Sequence, residues 1–119
     1  MSIETIVIIV LLAAFIIWRL RPVKGIRNIT TAQLKNELKD RNKQFIDVRT
    51  PGEFRGNSIR GFKNIPLNQL SAKAASLSMD KEVVLICQSG MRSSQASRIL
   101  KKMGFQKITN VKGGMNAWI

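Results

Sequence analysis

A chain of 119 residues has room for one small domain and a short appendage, and its 45% apolar content suits a folded core rather than disorder. Twenty Lys and Arg against seven Asp and Glu give a formal net charge of +13. Such a surface attracts anions, but with 6% aromatic residues and scattered cations it offers no stacking platform, so no nucleic acid partner is expected. One cysteine and no histidine exclude an intrachain disulfide and any Ser-His or Cys-His catalytic pair, and neither a metal nor a cofactor is expected.

The chain opens on a different material. Residues 6–18, IVIIVLLAAFIIW, are apolar without a break, and Ile3 extends the stretch past Glu4 and Thr5. As a helix, residues 3–18 reach roughly 24 Å, slightly short of a ~30 Å hydrocarbon core. Arg19 and Arg21 can snorkel, and Trp18 sits where an interfacial aromatic would. A transmembrane anchor is therefore expected at 1–21, with about 3–20 in the membrane. A cleaved signal fits poorly, because no positive region precedes the run and no small-x-small site follows it. A buried core helix would have to be apolar on every face. Only Glu4 precedes the run, whereas Arg19, Arg21, Lys24 and Arg27 follow it. That asymmetry expects a single-pass protein with its N-terminus outside and a cytoplasmic domain, the basic flank lying against lipid headgroups. Pro22 and Gly25 mark a basic linker at 22–27, and residues 28–119 form the domain.

The domain alternates two periodicities. Thr30 with Gln33 makes a capping box before a helix carrying Leu34 and Leu38 on one face. Residues 45–48 read as a short buried strand. Thr50, Pro51 and Glu53 start another helix with a cap, a first-position proline and an acid three residues on. A brief extended piece ends at Ile65, and Leu67, Leu70, Ala74 and Leu77 keep helical spacing. Residues 83–86, Val-Val-Leu-Ile, are apolar on both faces, as a central parallel strand requires. Ala96, Ile99, Leu100 and Met103 then follow at i, i+3, i+4 and i+7, with Gly104 as the stop. Residues 108–111 read as a last strand, Gly113-Gly114 as a turn, and 116–119 as a final helical turn. The fold class is α/β with a mainly parallel sheet.

Cys87 closes the strongest strand, and a helix begins just after its loop. Ligands of open α/β sheets bind beyond the strands' carboxyl ends. There the backbone N–H groups of residues 88–93 can converge on one point, helped by the helix N-terminus. Gly90 lets the loop curl, and Arg92 adds a full charge and a fork of donors. These features favour thiolate over thiol, so a lowered pKa is expected for Cys87, beneath a pocket open to a small anion. On position alone, a cysteine ending an apolar strand is more often inert packing.

Three blocks decide between those readings. The loop 87-CQSGMRS-93 resembles the active loop of rhodanese-like sulfurtransferases, C-x-S-G-x-R-S. The stretch 47-DVRTPGEFRGNSIRGFKNIP-66 resembles that family's D-V-R-x-x-x-E-F…G-H-I-x-G-A-x-N-I-P segment. The closing 111-VKGGMNAW-118 resembles its G-G-x-x-A-W. The resemblance implies a five-stranded, mainly parallel sheet with helices on both faces. It implies a catalytic Cys87 that takes sulfur from an anionic donor such as thiosulfate and passes it, as a persulfide, to a thiol or cyanide. Gln88, Ser89, Gly90, Met91, Arg92 and Ser93 would form the substrate-binding loop, with Asp47 and Arg49 in support. Arg92 would orient an anionic donor or brace the loop, and Ser89 and Ser93 would donate hydroxyls to the sulfur or cap the helix. Asn57-Ser58 stands where the family has Gly-His, and Met91 brings no extra cation.

Smaller expectations accompany these. Arg49 and Glu53, four apart, pair on the short helix. Asp47 accepts hydrogen bonds from neighbouring loops, and Trp118 is core. Two other functions compete: a membrane-tethered sulfur carrier or docking module with little turnover, and a cysteine phosphatase or arsenate reductase. The latter use Cys-x5-Arg, whereas four residues separate Cys87 from Arg92 here, a cradle better sized for one sulfur atom than for a tetrahedral oxyanion.

Overall fold

The computed structural model describes residues 1–20, the last two by backbone alone, and residues 25–119. The domain is one five-stranded sheet, all parallel, in the order β1-β5-β4-β2-β3. The strands are β1 (Ile26–Ile29), β2 (Lys43–Asp47), β3 (Lys63–Asn64), β4 (Glu82–Ile86) and β5 (Ile108–Val111). The helices are α1 (Ile3–Leu20), α2 (Thr31–Glu37), α3 (Pro51–Gly56), α4 (Leu70–Lys73) and α5 (Met91–Lys102).

Alternation along the strands splits the core over the two faces of the sheet. Ile46, Val83, Leu85 and Ile108 pack with Leu70, Ala74, Ala96 and Leu100 of α4, its following turn and α5. Phe45, Val84, Ile86 and Val111 pack with Leu34 of α2 and with Phe62 on the other face. Helices on both faces leave β4 no polar side, which is why residues 83–86 are apolar throughout.

Both expected capping boxes are formed. Thr30 Oγ1 accepts from Gln33 N at 3.2 Å and Gln33 Oε1 accepts from Thr30 N at 2.8 Å. Thr50 and Glu53 do the same at 3.2 and 3.0 Å. The single helix expected from Leu67 to Leu77 is instead three pieces, 3-10 turns at Leu67–Gln69 and Ala74–Ser76 flanking α4. A 3, 4, 3 spacing of apolar residues meets the core equally well in either helix type. The last turn, Gly114–Ala117, begins two residues earlier than expected.

The N-terminal boundary differs most from expectation. β1 starts at Ile26, inside the expected linker, and pairs along its length with β5. Arg27, expected against lipid, instead bonds to Glu37, Glu82 and the Thr109 hydroxyl, at the sheet end opposite Cys87. The expectations for the side chains of Arg19 and Arg21, and for Pro22 and Lys24, lie outside the described residues.

The expected membrane-spanning helix also needs correction. Among the described residues, no helix is long and apolar enough to cross a membrane. The 18 residues of α1 rise about 27 Å, and Glu4 stands in its first turn, against a core of about 30 Å. Residues 3–18 are nevertheless helical and exposed throughout.

Candidate functional site

Cys87 follows the last residue of β4 and lies beneath a loop that ends in α5. Gly90 is the N-cap of α5 with φ +108°, a left-handed conformation that lets the chain double back over the thiol. Its N–H donates to Cys87 Sγ at 2.9 Å, and Ser93 Oγ lies 3.4 Å from the same sulfur. Burial pushes the Cys87 thiol up, but the Ser93 hydroxyl and the N–H groups of Ser93, Gly90 and Ser89 outweigh it, so its pKa is lowered. Of the loop amides, the Gly90 N–H is the one with a hydrogen bond to the sulfur among the described residues.

The thiol is more enclosed than expected. Cys87 is 0% exposed, and Val48, Leu85 and Ala96 belong to the same core cluster. A cavity of about 600 Å³ lies beside the loop, lined by Ser89, Gly90 and Met91 but not by Cys87 itself. The loop wall therefore stands between the sulfur and that cavity.

Arg92 does not point at the sulfur as a free cation. It forms a two-pronged pair with Glu53, Nη1 to Oε1 at 2.6 Å and Nη2 to Oε2 at 2.9 Å. That pair, with the Thr50 cap, holds the Glu53 carboxyl down at about 2. The pair ties the start of α5 to α3. The expected Arg49–Glu53 pair is absent because each residue is engaged elsewhere.

Arg49 turns inward instead. It is 2% exposed and Asp47 is 0% exposed. Arg49 Nε bonds Asp47 Oδ1 at 3.0 Å and Nη2 bonds Oδ2 at 2.8 Å. The remaining donors reach Gln88 Oε1 at 3.2 Å and the Asn57 carbonyl at 2.5 Å. Asn57, where the family has glycine, thus meets the site through its backbone. Asn64 Nδ2 closes the frame by donating to the carbonyls of Asp47 and Arg49, both at 2.9 Å.

Gln88 is spent on the same frame, since its Nε2 donates to Asn116 Oδ1 at 2.6 Å. Met115 N and Asn116 N donate to the carbonyls of Cys87 and Gln88 at 2.8 and 2.9 Å, so the C-terminal turn is laid directly on the loop. Ser89 and Met91 are exposed on its outer side. Ser93 is buried beside the sulfur rather than capping α5. Trp118, expected in the core, is half-buried at its margin with Lys35 Nζ 5.2 Å from the ring centre.

Sequence reasoning missed Asn28, Ser94, Arg98, Asn110 and Lys112, which line the neighbouring cavity. The available signal was Asn110, a polar residue inside an apolar strand. Among the described residues, no group of acidic, cysteine or histidine side chains is arranged to hold a metal.

Known proteins resemble this chain in sequence and fold. The family model for the rhodanese-like domain matches residues 30–119. YqhL of Bacillus subtilis is 38% identical over 114 residues, covering 94% of this chain and 90% of that one. A sulfurtransferase of Allochromatium vinosum is 30% identical over 94 residues, covering 78% of this chain and 88% of its own. The rhodanese-like domain protein of Staphylococcus aureus superposes with a TM-score of 0.72 at 33% identity, over 78% of this chain and 91% of that one. On these matches the chain belongs to the rhodanese-like family.

Proposed function

We propose that this chain is a sulfurtransferase that carries sulfur as a persulfide on Cys87. The observation that carries the reading is the Cys87 sulfur held at 2.9 Å by the Gly90 N–H, within a set of donors that stabilises its charged form. The Cys87 thiolate attacks the outer sulfur of a donor such as thiosulfate. An S–S bond forms at Cys87 while the donor's own S–S bond breaks, and sulfite leaves with that electron pair. An acceptor thiolate or cyanide then attacks the terminal sulfur, and the Cys87 thiolate is regenerated. Both halves are displacements at sulfur and need no histidine base. Because the thiol is enclosed, entry of the donor requires the wall at Ser89 and Gly90 to part.

Incubation with thiosulfate should add about 32 Da, one sulfur atom, to Cys87, and Cys87→Ser should take up none. Loading should rise with pH and level off at a midpoint below that of an ordinary thiol, since the thiolate is the nucleophile. An adduct of equal yield on Cys87→Ser would refute the reading. The phosphatase alternative is disfavoured by Arg92, whose guanidinium is already committed to Glu53.

Location belongs to the same reading. A helix that exposes Ile8, Leu11, Phe15 and Ile17 by half or more of their surface calls for a cover other than water. A match covering 94% of the chain carries the likeness to YqhL into that helix. We infer that a lipid surface supplies that cover for α1. The full chain should float with vesicles of phosphatidylcholine and phosphatidylglycerol, and a chain lacking residues 1–20 should not. Equal behaviour of the two would overturn the placement.

A further inference from the structure

Charge is divided unevenly along the domain. After Glu82 no acidic residue occurs as far as Ile119, while Arg92, Arg98, Lys101, Lys102, Lys107 and Lys112 all fall in that stretch. The acids that could offset them are engaged elsewhere. Glu37 and Glu82 pair with Arg27 and Lys43, Asp47 with Arg49, and Glu53 with Arg92. Among the described residues, Arg98, Lys101, Lys102 and Lys112 form no ion pair. Unpaired surface cations with no acid between them hold a positive potential that draws anions.

These four side chains form one face. Arg98, Lys101 and Lys102 are spaced i, i+3 and i+4 along α5, so they share a side of the helix. Arg98 and Lys112 line the same cavity, which sets Lys112 beside that side. Arg98, Lys102 and Lys112 are exposed. At the C-terminal end of α5 the Lys101 side chain lies against Gly25, where an added Cβ would meet its Nζ. Gly25 stands just before β1, on the side of the chain that leads back to α1. The basic face therefore starts where the domain is entered from its apolar helix. Arg27, the cation that sequence places there, is instead turned to Glu37 and Glu82.

We propose that this face docks the domain on an anionic phospholipid surface, with headgroup phosphates meeting Arg98, Lys101, Lys102 and Lys112. The proposal rests on the reading that lipid covers α1, because it is continuity with that helix that selects a membrane as the partner. A nucleic acid strand would call for stacking platforms, and α5 carries no aromatic residue. Cations near a charged bilayer reinforce an apolar anchor and hold a free domain only weakly. The face thus orients a tethered domain rather than recruiting a loose one. The cysteine loop, at the other end of α5, is then held on a fixed side of the domain relative to the headgroups.

The test reads the face residue by residue. The full chain is bound to vesicles of phosphatidylcholine, with or without phosphatidylglycerol, and its lysines are mapped by reductive methylation and mass spectrometry. Lys102 and Lys112 should react at least about fivefold more slowly where phosphatidylglycerol is present, whereas the exposed Lys39, beyond α2, and Lys63, on the opposite edge strand β3, should change less than about twofold. The protection should disappear in about 0.5 M NaCl, where the Debye length falls to about 4 Å, and in the Arg98→Gln/Lys101→Gln variant. Flotation with both kinds of vesicle but equal labelling of all four lysines overturns the proposal and leaves the reading of α1 intact. Protection of Lys102 and Lys112 in a chain that floats only with phosphatidylglycerol upholds the face and sinks the reading of α1. Protection that requires added RNA and ignores phosphatidylglycerol gives the face to nucleic acid and overturns the proposal.

Discussion

Arg49→Met is expected to lower folding stability by about 3–5 kcal/mol, the cost of leaving one buried charge without its partner. Asp47 is 0% exposed, and apart from the Arg49 amide its carboxylate is held by the Arg49 guanidinium alone among the hydrogen bonds described. A loss of that size is a large part of the total for a domain with 5–15 kcal/mol to spend. Urea denaturation followed by circular dichroism reads it as a fall in midpoint. Arg92→Gln is the contrast. Its pair with Glu53 is one-third exposed on each side, and such pairs contribute about 1 kcal/mol or less. Asp47→Leu/Arg49→Met should recover much of the loss, because removing both charges removes the desolvation penalty with them. If Arg49→Met and Arg92→Gln shifted the midpoint equally, the buried pair would not be the frame described here. The same substitution also cuts the tether from Arg49 to Gln88, so sulfur loading by the folded fraction should slow as well.

Local chemistry made much of this molecule legible. The two capping boxes, the apolar β4, the spacing along α5 and the cysteine loop each follow from residues within a few positions of one another. What failed was long-range. β1 has the burial pattern of an edge strand, half-buried, exposed, exposed and buried, so Ile-Arg-Asn-Ile carries no strand periodicity of its own. Its pairing is specified by β5, some eighty residues away. The assignment of Arg49 to Glu53 failed for the same reason. An i,i+4 pair on an exposed helix is worth a few tenths of a kcal/mol, whereas the closed sheet buries Asp47 and makes a partner for it far more valuable. Glu53 was then free for Arg92, a pairing across 39 residues that no local rule reveals. The cavity beside the loop was hidden similarly, since Asn28, Ser94 and Asn110 meet only after β1 has joined β5. The N-terminal segment was legible as an apolar helix, but its expected reach across a bilayer was not matched by its 18 residues.

Gly114→Ala is expected to disturb the cysteine loop more than any other glycine substitution in the chain. A Cβ at this position would lie 2.2 Å from the Cys87 carbonyl oxygen and 2.9 Å from the carbonyl carbons of Cys87 and Gln88. All three are backbone atoms at the root of the loop, so no side chain can swing aside to make room. The position also has φ +54°, which costs a residue with a Cβ about 1–2 kcal/mol before any clash. Relief requires the C-terminal turn to lift, breaking the bonds from Met115 N and Asn116 N that hold the loop's first two carbonyls. At about 1 kcal/mol each, these bring the expected loss to about 3–4 kcal/mol. The loop, freed on that side, should load sulfur from thiosulfate at least about tenfold more slowly, because the N–H groups no longer converge on Cys87. Gly52→Ala is the matched control. Nothing stands within 4 Å of its Cβ and its φ is ordinary, so in α3 it should be neutral or stabilising by about 0.5–1 kcal/mol. Should Gly114→Ala keep both the parental denaturation midpoint and the parental loading rate, the C-terminal turn would not hold the loop in place, and the site would owe its shape to the Asp47–Arg49 frame alone.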